Sequence, residues 1–394
     1  MWWYSITINS YEYFFIKVFM KNSVKIIIGM VIIAIIVAGL LFFKNMTGNV
    51  INDNRQEIRI GAIVPLTGTY STLGNRIKNG IELAREDIEK EENVKIITYY
   101  EDVCTSKDAV SAVNKLISVD KIDVLGGSYC VIGLIPNVPI LEKEKIIAFS
   151  TPVNPDALLN HPHVFSTNKA IKDDTKDMAN FSVNRLHARS AATIYFNTDL
   201  GMDYNKYFKK HFESLGGRVV SENMYELAAA DFRTELTKIK ASNPDVILAI
   251  NLGGNMGNLL KQAREMGIKA PIISYVHTQD PNVLTAAGDA AEGFIISSSE
   301  TQEESKVIQD FNKKYREKYG AEPDINAANS YDATRLEVFA YQKCNGDREC
   351  MTKELHNVKN YEGVSGNITI QADGSTIKPT VFKIVKNGKF VVME

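Results

Sequence analysis

Residues 58–89 read IRIGAIVPLTGTYSTLGNRIKNGIELAREDIE. A β-rich run (Ile58, Ile60, Ala62, Ile63, Val64) stops at Pro65 and gives way to Thr67, Gly68, Thr69, Tyr70, Ser71 and Thr72. A helix follows, marked by Ile77, Ile81, Ala84 and Ile88, which recur at helical spacing and form one buried stripe. A hydroxyl-rich loop between a strand and a helix gathers backbone N–H groups, the positive end of the helix dipole and several OH groups at one point. That suits the polar, often anionic head of a small ligand. An ordinary βα connection needs only a glycine and a cap, so the loop alone leaves both readings open.

The alternation continues through the chain. Strand-like runs at 94–100, 122–126, 146–149, 191–196, 218–225, 246–250, 271–274 and 293–297 alternate with helical patterns at 107–119, 135–143, 172–186, 202–215, 232–242 and 256–266. Two longer helical patterns (303–319 and 327–343) and a β-rich tail at 366–370, 380–386 and 389–392 follow. Continuous Val/Ile runs between amphipathic helices denote parallel sheets covered on both faces. Two such blocks, 57–168 and 190–298, predict an α/β protein of two doubly wound parallel-sheet lobes. No linker rich in Pro, Gly or Ser separates them, so the chain is expected to cross directly from lobe to lobe.

The 394 residues are 45% apolar with a formal net charge of -2, a globular composition long enough for two cores. Near-neutral charge without a long basic run argues against a nucleic-acid partner. Residues 26–43 (IIIGMVIIAIIVAGLLFF) are uncharged and apolar, with Lys17, Lys21 and Lys25 before them and Lys44 after. This length is at the short end for a bilayer span and above most signal-peptide cores. An N-terminal transmembrane helix within a targeting segment 1–55 is therefore expected, anchoring an extracytoplasmic protein in the cell membrane. No clean small-x-small site or lipid-accepting Cys follows, which favours an uncleaved anchor; cleavage would leave a secreted or periplasmic protein. Met20, followed by a lysine-bearing segment, reads as an alternative start to Met1.

The loops at the C-terminal strand ends should line the crevice. They are 66–73, 126–130 and 150–155 in the first block, and 197–201, 251–255 and 275–280 in the second. They are rich in small, hydroxyl and amide groups and poor in paired charges. Asn251–Gly257 (NLGGNMG) approaches a dinucleotide fingerprint but has Leu252 in place of its first glycine, so no nucleotide cofactor is expected. His277 lacks a partnered Ser, Cys or carboxylate in sequence, and no G-x-S-x-G occurs, so no catalytic residue is assigned. Asp199 and Asp280 read either as a carboxylate pair or, more simply, as helix caps. Four cysteines beyond the apolar run favour two disulfides, and Cys344 with Cys350 would close a short loop. Buried thiols or a metal site are the alternatives, but no His lies at ligand spacing.

Together these features resemble the type I periplasmic binding proteins, specifically the leucine/isoleucine/valine-binding family that serves ABC importers. The resemblance runs from about Ile58 to the C-terminus. It is carried by IGAIVPLTGTYSTLGNRIKNGIELA, by YEDVC (Tyr100–Cys104) followed by KDAVSAVNKLI, by STPVNPDAL after Ile147, and by AGDAAEGF (Ala287–Phe294). It implies two lobes joined by three crossovers: lobe one at 56–168 plus 299–364, lobe two at 169–298 plus 365–394. It implies a disulfide between Cys104 and Cys130, and ligand contacts from Tyr70, Ser71 and Leu73, from Ser128, Tyr129 and Cys130, and from Ser150, Thr151 and Val153. Lobe two would add Leu200, Leu252, Val276 and His277.

Three departures bear on the ligand. Val153 stands where the family uses a Thr, and Leu200 where it uses a Tyr. The acidic residue that pairs with an α-ammonium falls at or beside Val276, leaving His277 or Asp280 nearest. Burying an ammonium without compensating charge costs on the order of a few kcal/mol. The implied function is a binding protein of an ABC importer that captures a branched-chain amino acid, an amide or a small organic acid by hinge closure, with a membrane permease as partner and no chemistry performed. A ligand-sensing ectodomain reporting to a membrane partner is the second reading, and a hydrolase using Asp199, His277 and Asp280 a remote third.

Overall fold

The computed structural model describes residues 30, 32–38, 55–68, 70–103, 105–128, 131–151, 154–299 and 305–393. The chain divides into two compact units, Met1–Arg55 and Gln56–Glu394. In the first, residues 30 and 32–38 are helical. The rest of the expected span 26–43 lies outside the described residues, and among those described no helix is long and apolar enough to cross a membrane.

The second unit is built on two main sheets. Strands β1 (Gln56–Val64), β2 (Val94–Asp102), β3 (Val124–Ser128), β4 (Ile147–Ser150) and β5 (Val164–Ser166) form a parallel sheet in the order β2-β1-β3-β4-β5. Strands β6 (Ser190–Phe196), β7 (Arg218–Tyr225), β8 (Val246–Ile250), β9 (Ile272–Ser274) and β10 (Ile295–Ser299) run parallel in the second sheet. The antiparallel strands β14 (Thr380–Lys386) and β15 (Lys389–Val392) extend its edge, giving β15-β14-β10-β9-β8-β6-β7. The order reverses beside β1 in one sheet and beside β6 in the other, the positions where open α/β sheets leave a crevice.

The helices of eight residues or more are α1 (Ser71–Glu91), α2 (Ser106–Ser118), α3 (Ile171–Asn184), α4 (Asp199–Ser214), α5 (Arg233–Ser242), α6 (Gly253–Glu265), α7 (Lys306–Tyr319), α8 (Ile325–Cys344) and α9 (Arg348–His356). The VILAI of β8 is buried throughout, as expected of a central strand covered on both faces. The stripe Ile77, Ile81, Ala84 and Ile88 is the buried face of α1. Helix α8 is buried over most of its circumference and packs on α1 so closely that a Cβ at Gly80 would collide with the Ala327 carbonyl.

Residues 365–377, expected in the second lobe, form β12 (Gly366–Ile370) and β13 (Thr376–Ile377) of a small antiparallel sheet with β11 (Tyr361–Gly363). That sheet bonds to the end of the first: Ser166 N donates to Gly374 O at 3.0 Å, and Thr376 Oγ1 to Ser166 O at 2.6 Å. Two expectations of local structure change. Val164–Ser166 is a strand too short to show a period. The polar stretch after Cys344 turns into helix at Arg348, where Asp347 Oδ1 accepts from Cys350 N at 2.8 Å, and Cys344 and Cys350 are disulfide-bonded.

Candidate functional site

Each lobe starts its crevice wall the same way. The first turn of α1 sits against the end of β1, where a Cβ at Gly74 would collide with the Pro65 carbonyl. In the second lobe a Cβ at Gly201 would collide with the Phe196 carbonyl at the end of β6. Glycine at these two places lets a helix N-terminus approach the strand end, the arrangement that concentrates N–H donors and the helix dipole at the crevice.

The hydroxyls of the opening loop divide. Thr67 Oγ1 donates to Asp102 Oδ2 at 2.6 Å, and the N–H groups of Leu66 and Thr67 donate to Asp102 Oδ1 at 2.6 and 3.2 Å. The Thr67 hydroxyl holds the Asp102 carboxyl below the usual carboxylate range, with the two N–H groups adding to the effect. Thr67 is thus committed to fixing the loop. Tyr70 caps α1, and Ser71 and Leu73 lie half-buried in its first turn.

Ser128 ends β3 and Ser150 ends β4, paired in register and fully buried. Thr151 follows, also fully buried. Its carbonyl accepts from Asn168 Nδ2 and from Asn329 Nδ2, each at 3.0 Å. Among the described residues Ser128 Oγ, Thr151 Oγ1, Thr167 Oγ1 and Asn251 Nδ2 are buried without a hydrogen-bond partner. Buried polar atoms are almost always paired in folded proteins, so unpaired hydroxyls and an amide at strand ends are what a polar ligand would satisfy. Tyr129, Cys130 and Val153 lie outside the described residues, as does Cys104 with its expected bond to Cys130.

In the second lobe Leu200 lies in the first turn of α4 and Leu252 caps α6, both half-buried. Leu252 N donates to Asn251 Oδ1 at 2.8 Å, which fixes that amide with its NH2 unpaired. Val276 and His277 belong to a single 3-10 turn after β9. Asn168 Nδ2 approaches His277 Nε2 at 3.2 Å. The His277 ring packs on Tyr275 at 5.6 Å, and Tyr275 on Tyr204 at 5.1 Å.

The carboxylates are accounted for. Asp199 is exposed at the first residue of α4. Asp280 accepts from Asn282 N at 2.8 Å as the cap of the helix Pro281–Ala287, and its other oxygen lies 3.7 Å from Arg76 Nη1. Arg76 also pairs with Asp324 at 2.9 Å. Asp280 thus serves as a helix cap.

Thr167, Asn168 and Asn329 lie outside the loops expected from sequence. Asn168 sits at a break between β5 and α3, a signal that was available. Asn329 lies inside a helix and carried none.

Comparison with known proteins agrees with this geometry. Residues 57–389 match the family model of the periplasmic binding proteins. A Leu/Ile/Val-binding protein homolog of Brucella melitensis is 23% identical over 348 residues, covering 86% of this chain and 94% of that protein. The crystal structure of the leucine-binding protein LivK of Thermotoga maritima superposes with a TM-score of 0.80 at 26% identity, covering 86% of this chain and 98% of that one. A solute-binding protein of an ABC transporter from R. palustris, solved in complex with benzoate, gives a TM-score of 0.77 at 22% identity over 86% and 95% of the two chains, a likeness of fold. With a family match over nearly all of the second unit and the doubly wound sheets that family requires, the chain belongs to the periplasmic binding proteins.

Proposed function

We propose that this chain is the extracytoplasmic solute-binding protein of an ABC importer, and that its ligand is a small carboxylic acid or amide without an α-ammonium group. The ligand would be held first by lobe one, through Ser128, Thr151 and the N-terminus of α1, and then covered by Leu200, Asn251, Leu252, Val276 and His277 of lobe two. Hinge closure would give the form that a membrane permease recognises. The six crevice loops contain only two carboxylates by sequence, Asp199 and Asp280. One is exposed, and the other serves a helix cap and Arg76. That single observation supports the ligand class, because among the described residues of these loops an ammonium would meet no buried carboxylate that is not already engaged.

The lobes are read as 56–168 plus 305–377 and 169–299 plus 380–393, with the chain crossing near 168, between 299 and 305, and at Lys378–Pro379. Residues 26–43 are read as the membrane anchor, and Cys104 and Cys130 as a disulfide at the edge of the first lobe's crevice. A thermal-shift screen of residues 56–394 against amino acids, their amides and small organic acids tests the function. A true ligand at a hundredfold excess over its dissociation constant stabilises by about 2.7 kcal/mol. Stabilisation by acids or amides supports the assignment; no stabilisation across a broad panel removes it.

A further inference from the structure

Lys378 lies on the connection from β13 to β14 and is 2% exposed. Its ammonium donates to Ser365 Oγ at 2.6 Å, to Ser365 O at 3.1 Å and to Asn329 Oδ1 at 3.1 Å, which uses all three protons. Ser365 Oγ donates onward to Asp332 Oδ2 at 2.5 Å, and Asp332 also accepts from Val364 N and Ser365 N at 2.9 and 2.8 Å. Burying a lysine is costly unless it is paired, and an apolar side chain would fill the space at less cost. What the ammonium adds is direction. Being a donor only, it must face the oxygen of the Asn329 amide. The NH2 of that amide then faces Thr151, whose carbonyl is an acceptor only. On the same carbonyl Asn168 Nδ2 converges from the first crossing between the sheets.

We propose that Lys378 is a positioning residue for the ligand loop after β4: from the last crossing between the lobes, its ammonium orients Asn329, and Asn329 holds the Thr151 carbonyl. The proposal rests on the reading of the Thr151 loop as ligand-binding. Burial lowers the Lys378 pKa to about 8, with Asp332 opposing. Burial likewise pushes the Asp332 carboxyl up, against Lys378 and the hydrogen bonds it accepts. Tyr361 is the further titratable group in the field of Asp332, its phenol raised by burial first and Asp332 second. Above about pH 8 the ammonium becomes an amine with two protons, and one of its three contacts loses its donor.

Global stability should move the other way. A lysine whose pKa folding lowers contributes stability that is fully present above its unfolded value of 10.5 and is lost as pH falls through about 8. Loosening of the 148–156 segment between pH 7 and 9 is therefore distinguishable from general unfolding.

Hydrogen exchange of the ligand-free, full-length protein at pH 7 and 9, corrected for intrinsic rates, tests this without any ligand. It thus succeeds or fails independently of the assignment of the crevice. Protection of 148–156 in the wild type should fall about tenfold at pH 9, following the ammonium fraction. It should be low at both pH values in Lys378→Gln and in Asn329→Ala, no lower in the double variant, and 246–250 should not change. An unchanged 148–156 segment in the wild type overturns the proposal; so do additive effects of the two variants, or losses spread equally over 246–250.

Discussion

Ser128 at the end of β3 and Thr151 just after β4 each bury a hydroxyl that is unpaired among the described residues, and both are proposed to contact the ligand. Replacing either, as Ser128→Ala or Thr151→Val, removes one hydrogen bond to the bound molecule while leaving the fold's own bonds intact. Each should weaken binding of the acid or amide found in the screen by about 1 kcal/mol, roughly fivefold, by isothermal titration. At this scale sequence was informative in groups and blind to assignments. The hydroxyl cluster after Pro65 is visible in the chain, but Thr67 is taken up by Asp102, 35 positions away. The packing of Tyr204 on Tyr275, 71 positions apart, is likewise encoded by no local spacing.

Helix α8 carries the clearest element-scale consequence. Glu337 is fully buried against Gly126 of β3, neither carboxyl oxygen has a partner among the described residues, and burial pushes its pKa well above the ordinary value. A carboxyl whose folded pKa is raised contributes stability that is fully present below its unfolded pKa and is lost as pH rises through the folded one. Denaturant unfolding should therefore show stability falling by up to about 1.4 kcal/mol per pH unit from this group as pH rises above 5, and Glu337→Gln should remove that slope. The Cys344–Cys350 bond closes a loop of sequence separation 6 between α8 and α9. Its removal by Cys344→Ala with Cys350→Ala should cost about 2 kcal/mol, read as a lower urea midpoint at unchanged slope. Elements with long apolar periods, such as α1 and β8, were legible before folding. β5 and α9 were not: β5 has three residues, and α9 starts from an aspartate cap inside a polar run.

For the whole molecule, polar links among the described residues join the two lobes, and three of them bear on the account. They are Arg76 with Asp280, Asn168 with His277, and Asp156 with Lys206 at 2.8 Å. Arg76 also pairs with Asp324, so it tethers the start of α8 to the far wall. Arg76→Gln unpairs the nearly buried Asp280 and should speed ligand release three- to tenfold, about 1 kcal/mol, with little change in association rate by stopped flow. The two-lobed plan was legible because alternating β and α runs admit few topologies. The ligand was not, because its class depends on what Asp280 is already doing. Isothermal titration of residues 56–394 with two matched pairs, leucine against 4-methylpentanoate and phenylalanine against 3-phenylpropanoate, tests that claim most directly. The member lacking the ammonium should bind at least about tenfold tighter in the pair that fits, the cost of an uncompensated charge being over about 1.4 kcal/mol. Tighter binding of either amino acid would contradict the account.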